Sequence, residues 1–326
     1  MNLSLNKKYN FDIDASVNTY AGELALPYVT AALLGAETIA KGRCRFLEGI
    51  VGKTVISGLG FSTDTIQTAN CNWNDNSALE LTEQVLNPSD LAVMEEICRG
   101  TMYPTWIAAN GRMERNGSLP VAWSDFLLGA VAERTGSNLE SIMWTGAAPF
   151  GTGFLSTDGT IDDDATGIGG SACKDFVEAD TTNVAWSATT ILAALNKVFD
   201  SAADIPGILQ KPGCGFYVSY EAYAFYLQAL AAQNTGPGYN QSLEGASYLG
   251  YPVYPTAGIP NTVDVCVFTY PDNLVVGANS YTADISAQLI PTYQYDGSDN
   301  VRASMRFAVG VQTAVAGDGV VGFDFT

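Results

Sequence analysis

Apolar and polar positions follow two different patterns in the first part of the chain. Over residues 20–40 the apolar positions recur at helical spacing, which predicts a helix that is interrupted near Pro27. Residues 46–61 are rich in β-branched side chains and glycine, and residues 63–86 resume a partly alternating pattern. These two segments are predicted to pair as a long two-stranded loop. Because two strands alone are marginally stable in water, the loop needs a neighbouring surface to lie on.

Helical spacing returns in two segments of the middle region. Ser89 has the character of an N-cap, and the apolar positions after it predict a helix that ends near Gly100. A longer helix is predicted over residues 121–134, continuing to Met143. Its apolar stripe consists of Trp123, Phe126, Leu127, Ala130 and Val131.

The second half alternates between helical and extended patterns. A helix is predicted over residues 187–199, then a short strand over 216–218, then a helix that Ser219 caps and that runs to Ala232. Further strands are predicted at 251–254, 263–269 and 274–277, and an antiparallel meander at 283–295, 301–312 and 320–325. The predicted loops are 145–180 and 234–246. The predicted class is α+β.

Composition adds a reason to expect an assembling protein. Hydrophobic residues make up 47% of the 326 residues, and charged residues make up only 15%. Such a low charged fraction, on a chain long enough for one or two domains, predicts that much of the surface contacts protein rather than water.

The residue inventory excludes several classes of enzyme. The chain contains no histidine, which removes Ser-His-Asp and Cys-His nucleophile activation and imidazole metal ligation. The six cysteines form no CxxC pair, so buried reduced thiols are expected rather than a zinc site. No catalytic, cofactor-binding or metal-binding residue is predicted.

Export and membrane insertion are not predicted either. Asp12 and Asp14 stand where a secretory signal would place apolar residues. The apolar run 24–36 contains Pro27 and is shorter than the roughly 20 residues of a membrane-spanning helix. We therefore expect a soluble protein that is made in a bacterial cytoplasm.

Short motifs in the second half of the chain resemble a known family. They are FYVS at 216–219, SLEG at 242–245, LGYPV at 249–253, GIP at 258–260 and YPDNLVVG at 270–277, followed by strands at 302–312. Together they resemble the axial domain, and its return into the peripheral domain, of Hong Kong 97-type major capsid proteins of tailed bacteriophages. The resemblance covers about residues 186–326, and the earlier elements match the family in order but in no short motif.

The resemblance implies a Hong Kong 97-like capsid fold of class α+β. Its parts would be an N-terminal arm (1–44), an extended loop (45–80), the first part of a peripheral domain with its spine helix (81–185), an axial domain (186–285) and return strands of the peripheral domain (286–326). In such shells the arm and the loop lie across neighbouring subunits. That position supplies the surface that the predicted two-stranded loop lacks.

The implied function is structural. Subunits of this family self-assemble into hexamers and pentamers of an icosahedral shell that encloses a double-stranded DNA genome, in the virion capsid. Scaffolding, portal and decoration or cement proteins are the implied partners. The alternatives are an encapsulin-like nanocompartment shell, a β-rich adhesin or glycan-binding module, and an enzyme of unidentified class. Particles containing DNA rather than a cargo enzyme would separate the first alternative from a virus.

Candidate assembly contacts come from basic residues of the N-terminal segment and from the predicted loops. They are Lys7, Lys8, Arg43, Arg45, Lys53, Phe61, Trp73, Pro237 and Tyr239. The resemblance implies that the loop 234–246 approaches the rotation axis of a capsomer, as the corresponding stretch does in the family, and its glycines and Pro237 suit a loop that adapts to rings of two sizes. Lys53 is not expected to form an isopeptide link.

Charge is distributed unevenly. Residues 1–53 hold six basic and five acidic residues, whereas residues 54–326 hold nine basic and 29 acidic residues. The basic side chains of the first segment are predicted to pair with acidic surfaces of neighbouring copies. Residues 135–301 hold three basic and 17 acidic residues, which predicts an acidic or neutral inner face that encloses DNA without binding it tightly.

Overall fold

The computed structural model describes residues 19–21, 32–33, 35–61, 79–98, 123–148, 150, 153–155, 176–179, 185–232, 246–262, 264–279, 286–292, 297–298 and 300–324. The strands in these residues are β1 (Thr19–Ala21), β2 (Arg45–Glu48), β3 (Thr54–Phe61), β4 (Leu79–Leu86), β5 (Ser89–Cys98), β6 (Val177–Ala179), β7 (Gly215–Val218), β8 (Ser247–Tyr248), β9 (Tyr251–Pro255), β10 (Asp264–Thr269), β11 (Leu274–Asn279), β12 (Ser286–Pro291), β13 (Asn300–Thr313) and β14 (Val320–Asp324). The helices are α1 (Glu37–Ala40), α2 (Trp123–Thr145), α3 (Ile191–Ala203) and α4 (Tyr220–Ala232), with 3₁₀ turns at Ile208–Gln210 and Pro271–Asn273.

The strands form three sheets. The first sheet has the order β1-β12-β13-β11-β2, and β5 also pairs with β13. The second sheet has the order β6-β14-β10-β7-β9-β8. The third is the two-stranded hairpin of β3 and β4. This mixture of helices and largely antiparallel sheets agrees with the predicted α+β class. None of the described helices combines the length and apolar character that a membrane crossing requires.

The long helix α2 packs one side into the main core. From Leu127 to Trp144 its residues alternate in pairs, two buried and then two exposed, except that Ile142 is half-buried. This repeat of about four residues turns one stripe of the helix toward the core that it shares with the first sheet. The predicted helix is confirmed, as are Leu127 and Val131 of its stripe, but Ala130 is exposed and the side chains of Trp123 and Phe126 lie outside the described residues.

The second sheet separates two hydrophobic cores. Along β7 and β10 alternate side chains point to opposite faces: Tyr217 and Val265 join the core of α2, while Phe216 and Cys266 join the core of α3 and α4. The helix after β7 begins as predicted, because the Ser219 hydroxyl accepts a hydrogen bond from the Ala222 backbone N–H at 3.2 Å. Both faces of this sheet are therefore covered.

The predicted helix after Ser89 is wrong. Residues 89–98 form β5, which pairs with β13 at ten successive positions, from Val309 opposite Ser89 to Asn300 opposite Cys98. The predicted helical stripe was Leu91, Met94, Ile97 and Cys98, whereas Leu91, Val93 and Ile97 fit a period of two. The long partner strand favours the extended form.

Three further predictions need correction. Residues 19–21, at the start of the predicted N-terminal helix, form β1 against β12, and the helix itself is described only in part, with Pro27 outside the described residues. Strand β14 does not continue the meander of β12 and β13 but pairs with β10 and β6 in the second sheet. Cys44, Cys214 and Cys266 are buried thiols as predicted, whereas Cys98 is exposed; Cys71 and Cys173 lie outside the described residues.

Candidate functional site

The hairpin of β3 and β4 presents an apolar surface to solvent. Val55 lies opposite Val85, and Ser57 lies opposite Glu83 on the same face. Val55, Leu81 and Val85 are 54%, 62% and 49% exposed. Exposed aliphatic side chains grouped on one face of a strand pair are typical of a protein contact surface. The prediction of a two-stranded loop is confirmed for β3 and β4. It is wrong for residues 45–48 at its predicted start, which form β2 and pair with β11 in the first sheet.

The opposite face of the hairpin is anchored in the subunit at its base. A small buried cluster there contains Ile50, Ile56, Leu86, Val275 and Ala314. A Cβ atom added at Gly277 would lie 2.4 Å from side-chain ends of this cluster, so the glycine allows β11 to approach closely. The Gln312 amide also donates a hydrogen bond to the Gln84 side-chain oxygen at 3.0 Å. The hairpin thus projects from a fixed base.

A second feature joins residues 35–44, here called the arm root, to helix α2. The backbone N–H and the hydroxyl of Thr38 donate hydrogen bonds to the buried Glu140 carboxylate at 3.0 and 2.6 Å. The Trp144 indole N–H donates to the same hydroxyl at 3.1 Å. A Cβ atom at Gly136 would lie 2.6 Å from the Cα of Gly35, so the two backbones are in direct contact.

Glu37 connects the arm root to the turn after β9 and to α4. Its carboxylate accepts hydrogen bonds from the Lys41 ammonium at 2.8 Å, from the Tyr220 hydroxyl at 2.9 Å and from the Ala257 backbone N–H at 3.3 Å. The Arg43 guanidinium lies 3.6 Å from the same carboxylate. One carboxylate thus holds groups from three parts of the chain.

Arg43 is used inside the subunit. It is buried, its guanidinium donates a hydrogen bond to the Pro255 carbonyl at 2.6 Å, and it lies over the Tyr254 ring at 4.8 Å from the centroid. The Tyr217 hydroxyl donates to the Arg43 carbonyl at 2.9 Å. Arg43 was predicted to contact neighbouring copies, but in this structure its side chain makes these contacts within its own subunit.

Burial dominates the electrostatics of this region. It raises the pKa of Glu140, and the charge of Glu37 acts in the same direction, while the hydrogen bonds from Thr38 oppose the shift. Burial, with the Glu140 charge, also raises the pKa of the Cys44 thiol to about 12, so this cysteine stays protonated and unreactive.

The other candidate contacts are distributed as follows. Arg45 on β2 and Lys53, just before the hairpin, are exposed. Phe61 ends β3, with its side chain outside the described residues. Lys7, Lys8, Trp73, Pro237 and Tyr239 also lie outside the described residues, as does the loop 234–246 apart from Ala246.

A groove of about 600 Å³ runs between α2 and β5. Its lining is mostly apolar, and among the described residues it includes one carboxylate, Glu95, and one cation, Arg134. No group of three or more metal-ligating side chains occurs in the described part of the chain.

Thr38 and Glu140 were not identified from the sequence. A signal did exist, because Glu140 lies four residues after Gly136 and four before Trp144, inside the buried stripe of α2. A carboxylate in such a stripe requires hydrogen-bonding partners. The identity of the partner, 102 residues away, depends on the tertiary fold.

Comparison with solved structures finds similar folds in chains from phage particles. A chain of the satellite phage P4 procapsid that includes the size determination (Sid) protein aligns with a TM-score of 0.54 and 10% identity, over 90% of this chain and 96% of that one. A chain of the capsid of Myoviridae phage XM1 gives 0.53 and 10%, over 88% and 92%. A chain from Gordonia phage Cozz gives 0.54 and 14%, over 89% and 87%.

Sequence comparison finds no such relative: no protein-family model matches the chain, and no curated protein does. At 10–14% identity, the structural likeness shows the fold. The chain has an α+β fold of the kind found in phage capsids.

Proposed function

We propose that this chain is the major capsid protein of a tailed bacteriophage, with a Hong Kong 97-like fold. Its copies would form the hexamers and pentamers of an icosahedral shell around double-stranded DNA. The observation that carries the proposal is the alignment with chains of phage capsids and a procapsid over about nine-tenths of both partners. The sequence motifs at 216–219 and 249–253 support it independently.

The exposed hairpin is the feature that self-assembly explains best. Val55, Leu81 and Val85 face solvent in the single subunit, although two strands alone bury too little to be stable. In the proposed shell this face lies on a neighbouring copy. The subunit would divide into an arm, an extended loop that continues through β4 to Leu86, a peripheral domain built on the first sheet and an axial domain built on the second sheet. On this division β11 groups with the peripheral domain and β14 with the axial domain, so the boundaries differ from those that the sequence predicted.

Partners follow from the same proposal. Shell size and genome entry require proteins beyond the shell subunit, and the P4 procapsid structure includes a size determination protein. We infer that this chain assembles with scaffolding and portal proteins, and with decoration or cement proteins where they are present. Assembly would take place in the host cytoplasm, and the product would be the virion capsid.

Electron microscopy of the purified protein, expressed with and without its scaffolding protein, tests the proposal. The expected result is closed icosahedral shells or isolated capsomers. Particles from infected cells should contain double-stranded DNA and no cargo enzyme. A chain that remains monomeric under every assembly condition with scaffold supplied would contradict the proposal.

A further inference from the structure

The arm root shields the Glu140 carboxylate from water. The two carboxylate oxygens accept hydrogen bonds from the backbone N–H and the hydroxyl of Thr38, and both residues are buried. One turn earlier on α2, Gly136 lies directly against Gly35, so the two backbones touch. Separation of the arm root from α2 would therefore return the carboxylate to water.

Glu140 faces two titratable groups of the arm root. Glu37 and Cys44 both interact with it electrostatically. On its own helix, the Trp144 indole supplies a hydrogen-bond donor to the same network. The turn after β9 packs Gly258 against the helix, where an added Cβ atom would lie 2.5 Å from the Glu140 carbonyl oxygen, and this glycine brings no charge. Among the described residues, no cation forms an ion pair with Glu140.

The cations of the arm root are bound to Glu37 instead. The Lys41 ammonium lies 2.8 Å and the Arg43 guanidinium lies 3.6 Å from the Glu37 carboxylate. A negative charge on Glu140 is therefore balanced only by hydrogen bonds, in a buried position near a second carboxylate. A buried charge without a counter-ion is costly, whereas the protonated acid is not charged.

The far end of the arm root is fixed independently of Glu140. The Arg43 guanidinium donates a hydrogen bond to the Pro255 carbonyl at 2.6 Å, and the Arg43 carbonyl accepts one from the Tyr217 hydroxyl at 2.9 Å. Gly42, just before it, has a φ of +62° and open space around an added Cβ atom. Residues 35–41 can therefore move away from α2 while Arg43 keeps its place.

We propose that the proton on Glu140 controls the attachment of the arm root to α2. With Glu140 protonated, residues 35–41 stay packed against the helix. When the proton leaves to solvent, these residues separate from the helix and water reaches the carboxylate. Separation also breaks the contacts of Glu37 with Tyr220 and Ala257, which lie at the surface and stabilise little. The inference goes beyond the proposed function, because it concerns a change within a single subunit.

The packing fixes the direction of the pH dependence. In the attached form, burial and the Glu37 charge raise the pKa of Glu140, while the Thr38 hydrogen bonds oppose the shift. In the separated form the carboxylate is in water, with its ordinary pKa of about 4.3. The attached form is therefore most favoured below that value. Between the two pKa values, the ratio of attached to separated form should fall by up to about tenfold per pH unit.

Hydrogen exchange of the unassembled subunit, measured by mass spectrometry from about pH 5 to about pH 8, tests the inference. The Thr38 N–H reports the attachment directly, because its acceptor is Glu140. The N–H groups of Ala40 and Lys41 report it through α1, since a four-residue helix has no stability of its own once detached. The intrinsic exchange rate cancels when variants with an unchanged arm root are compared at the same pH.

The reference variant is Glu140→Gln, which has no proton to lose. Relative to it, the protection of these N–H groups in wild type should fall by up to about tenfold per pH unit. The matched control is Glu133→Gln, which removes an exposed glutamate of the same helix and should follow wild type. A ratio between wild type and Glu140→Gln that is constant across the series would overturn the inference, as would an equal loss of protection in α3.

Two further variants should move the midpoint of this change in opposite directions. Glu37→Gln removes a charge that raises the pKa of Glu140, so its midpoint should lie at lower pH than that of wild type. Thr38→Val removes a hydrogen bond that lowers this pKa, so its midpoint should lie at higher pH. A purely structural role would change protection by the same factor at every pH, and midpoints that do not separate in this way would contradict the inference. Its failure would leave the proposed function standing, and a subunit that never assembles would leave this inference standing.

Discussion

Glu140 is a carboxylate on the buried side of a long helix, where hydrogen bonds replace its water. Its two partners come from Thr38, so the helix and the arm root are joined through one side chain. Removing one partner of such a buried group leaves the other unsatisfied, which is more destabilising than the hydrogen bonds are stabilising. The residue therefore acts as a link between segments that are distant in sequence.

This arrangement predicts a pH-dependent stability. Because burial raises the pKa of Glu140, the folded state holds its proton more tightly than the unfolded state. Its contribution is fully present below the unfolded pKa of about 4.3 and is lost as the pH rises through the higher folded pKa. The difference in free energy of unfolding between wild type and Glu140→Gln should therefore fall as the pH rises from about 4 to about 8.

Urea unfolding of the unassembled subunit at a series of pH values measures this difference. The control is Glu133→Gln, which removes an exposed glutamate from the same helix without touching Thr38. A difference between wild type and Glu140→Gln that stays constant across the series would contradict the prediction.

Replacing two glycines of α2 by alanine should change the stability of the subunit in opposite directions. Gly129 has nothing within 4 Å of an added Cβ atom, so Gly129→Ala should stabilise the subunit by about 1 kcal/mol through helix propensity. At Gly136 the added atom would lie 2.6 Å from the Cα of Gly35 and 2.7 Å from the Ala32 carbonyl oxygen. Gly136→Ala should therefore destabilise it by roughly 1–3 kcal/mol. Equal changes in denaturant midpoint would show that the arm root does not contact the helix here.

At the scale of elements, β5 shows how a partner strand selects a strand where the local sequence is compatible with both a helix and a strand. Residues 89–98 carry apolar side chains that suit a helix and also suit alternation. Ten paired positions along β13 satisfy backbone groups of both strands at once. Pairing with a strand more than 200 residues away cannot be read from local spacing.

Substitutions on the exposed face of β4 should affect assembly, whereas a substitution on its buried face should affect stability. Leu81→Thr combined with Val85→Thr changes exposed side chains and keeps β propensity, so the free energy of unfolding should change by less than about 0.5 kcal/mol. Shell assembly should fail or slow strongly. The adjacent Leu86 is fully buried, and Leu86→Ala should cost about 2–5 kcal/mol of stability. Normal shells from the double variant, seen by electron microscopy, would show that this face is not a contact.

At the scale of the whole molecule, the second sheet lies between two hydrophobic cores, and the net charge bears on the proposed function. The net charge of residues 135–301 is strongly negative, with three basic against 17 acidic residues. In the proposed shell, this charge, multiplied over many copies, would repel phosphate within about a Debye length of 8–10 Å. A shell of this kind would enclose DNA without binding it.

The isolated subunit should therefore show no appreciable affinity for duplex DNA. Filter binding at physiological salt should give no saturation in the micromolar range, and lowering the salt should produce little gain, because few basic groups are present to release counterions. Micromolar affinity at physiological salt would contradict the prediction, as would a continuous basic inner surface in a solved particle.

The sequence by itself determined the features that depend on near neighbours. The α2, α3 and α4 helices, the Ser219 cap and the strands at 251–255, 264–269 and 274–279 were predicted within about four residues. The strand pair of the hairpin was also predicted, but over the longer segments 46–61 and 63–86. Helical spacing, capping and alternation involve residues that are close in sequence, so these patterns can be recognised from the local sequence. The family resemblance in residues 186–326 was also accessible, because it lies in short motifs.

Tertiary structure decided the rest. It placed β14 in the second sheet, made β5 a strand, buried Arg43 and joined Glu140 to Thr38. Each of these depends on a partner far along the chain, and the choice among possible partners is made by the burial and hydrogen bonding of the whole fold.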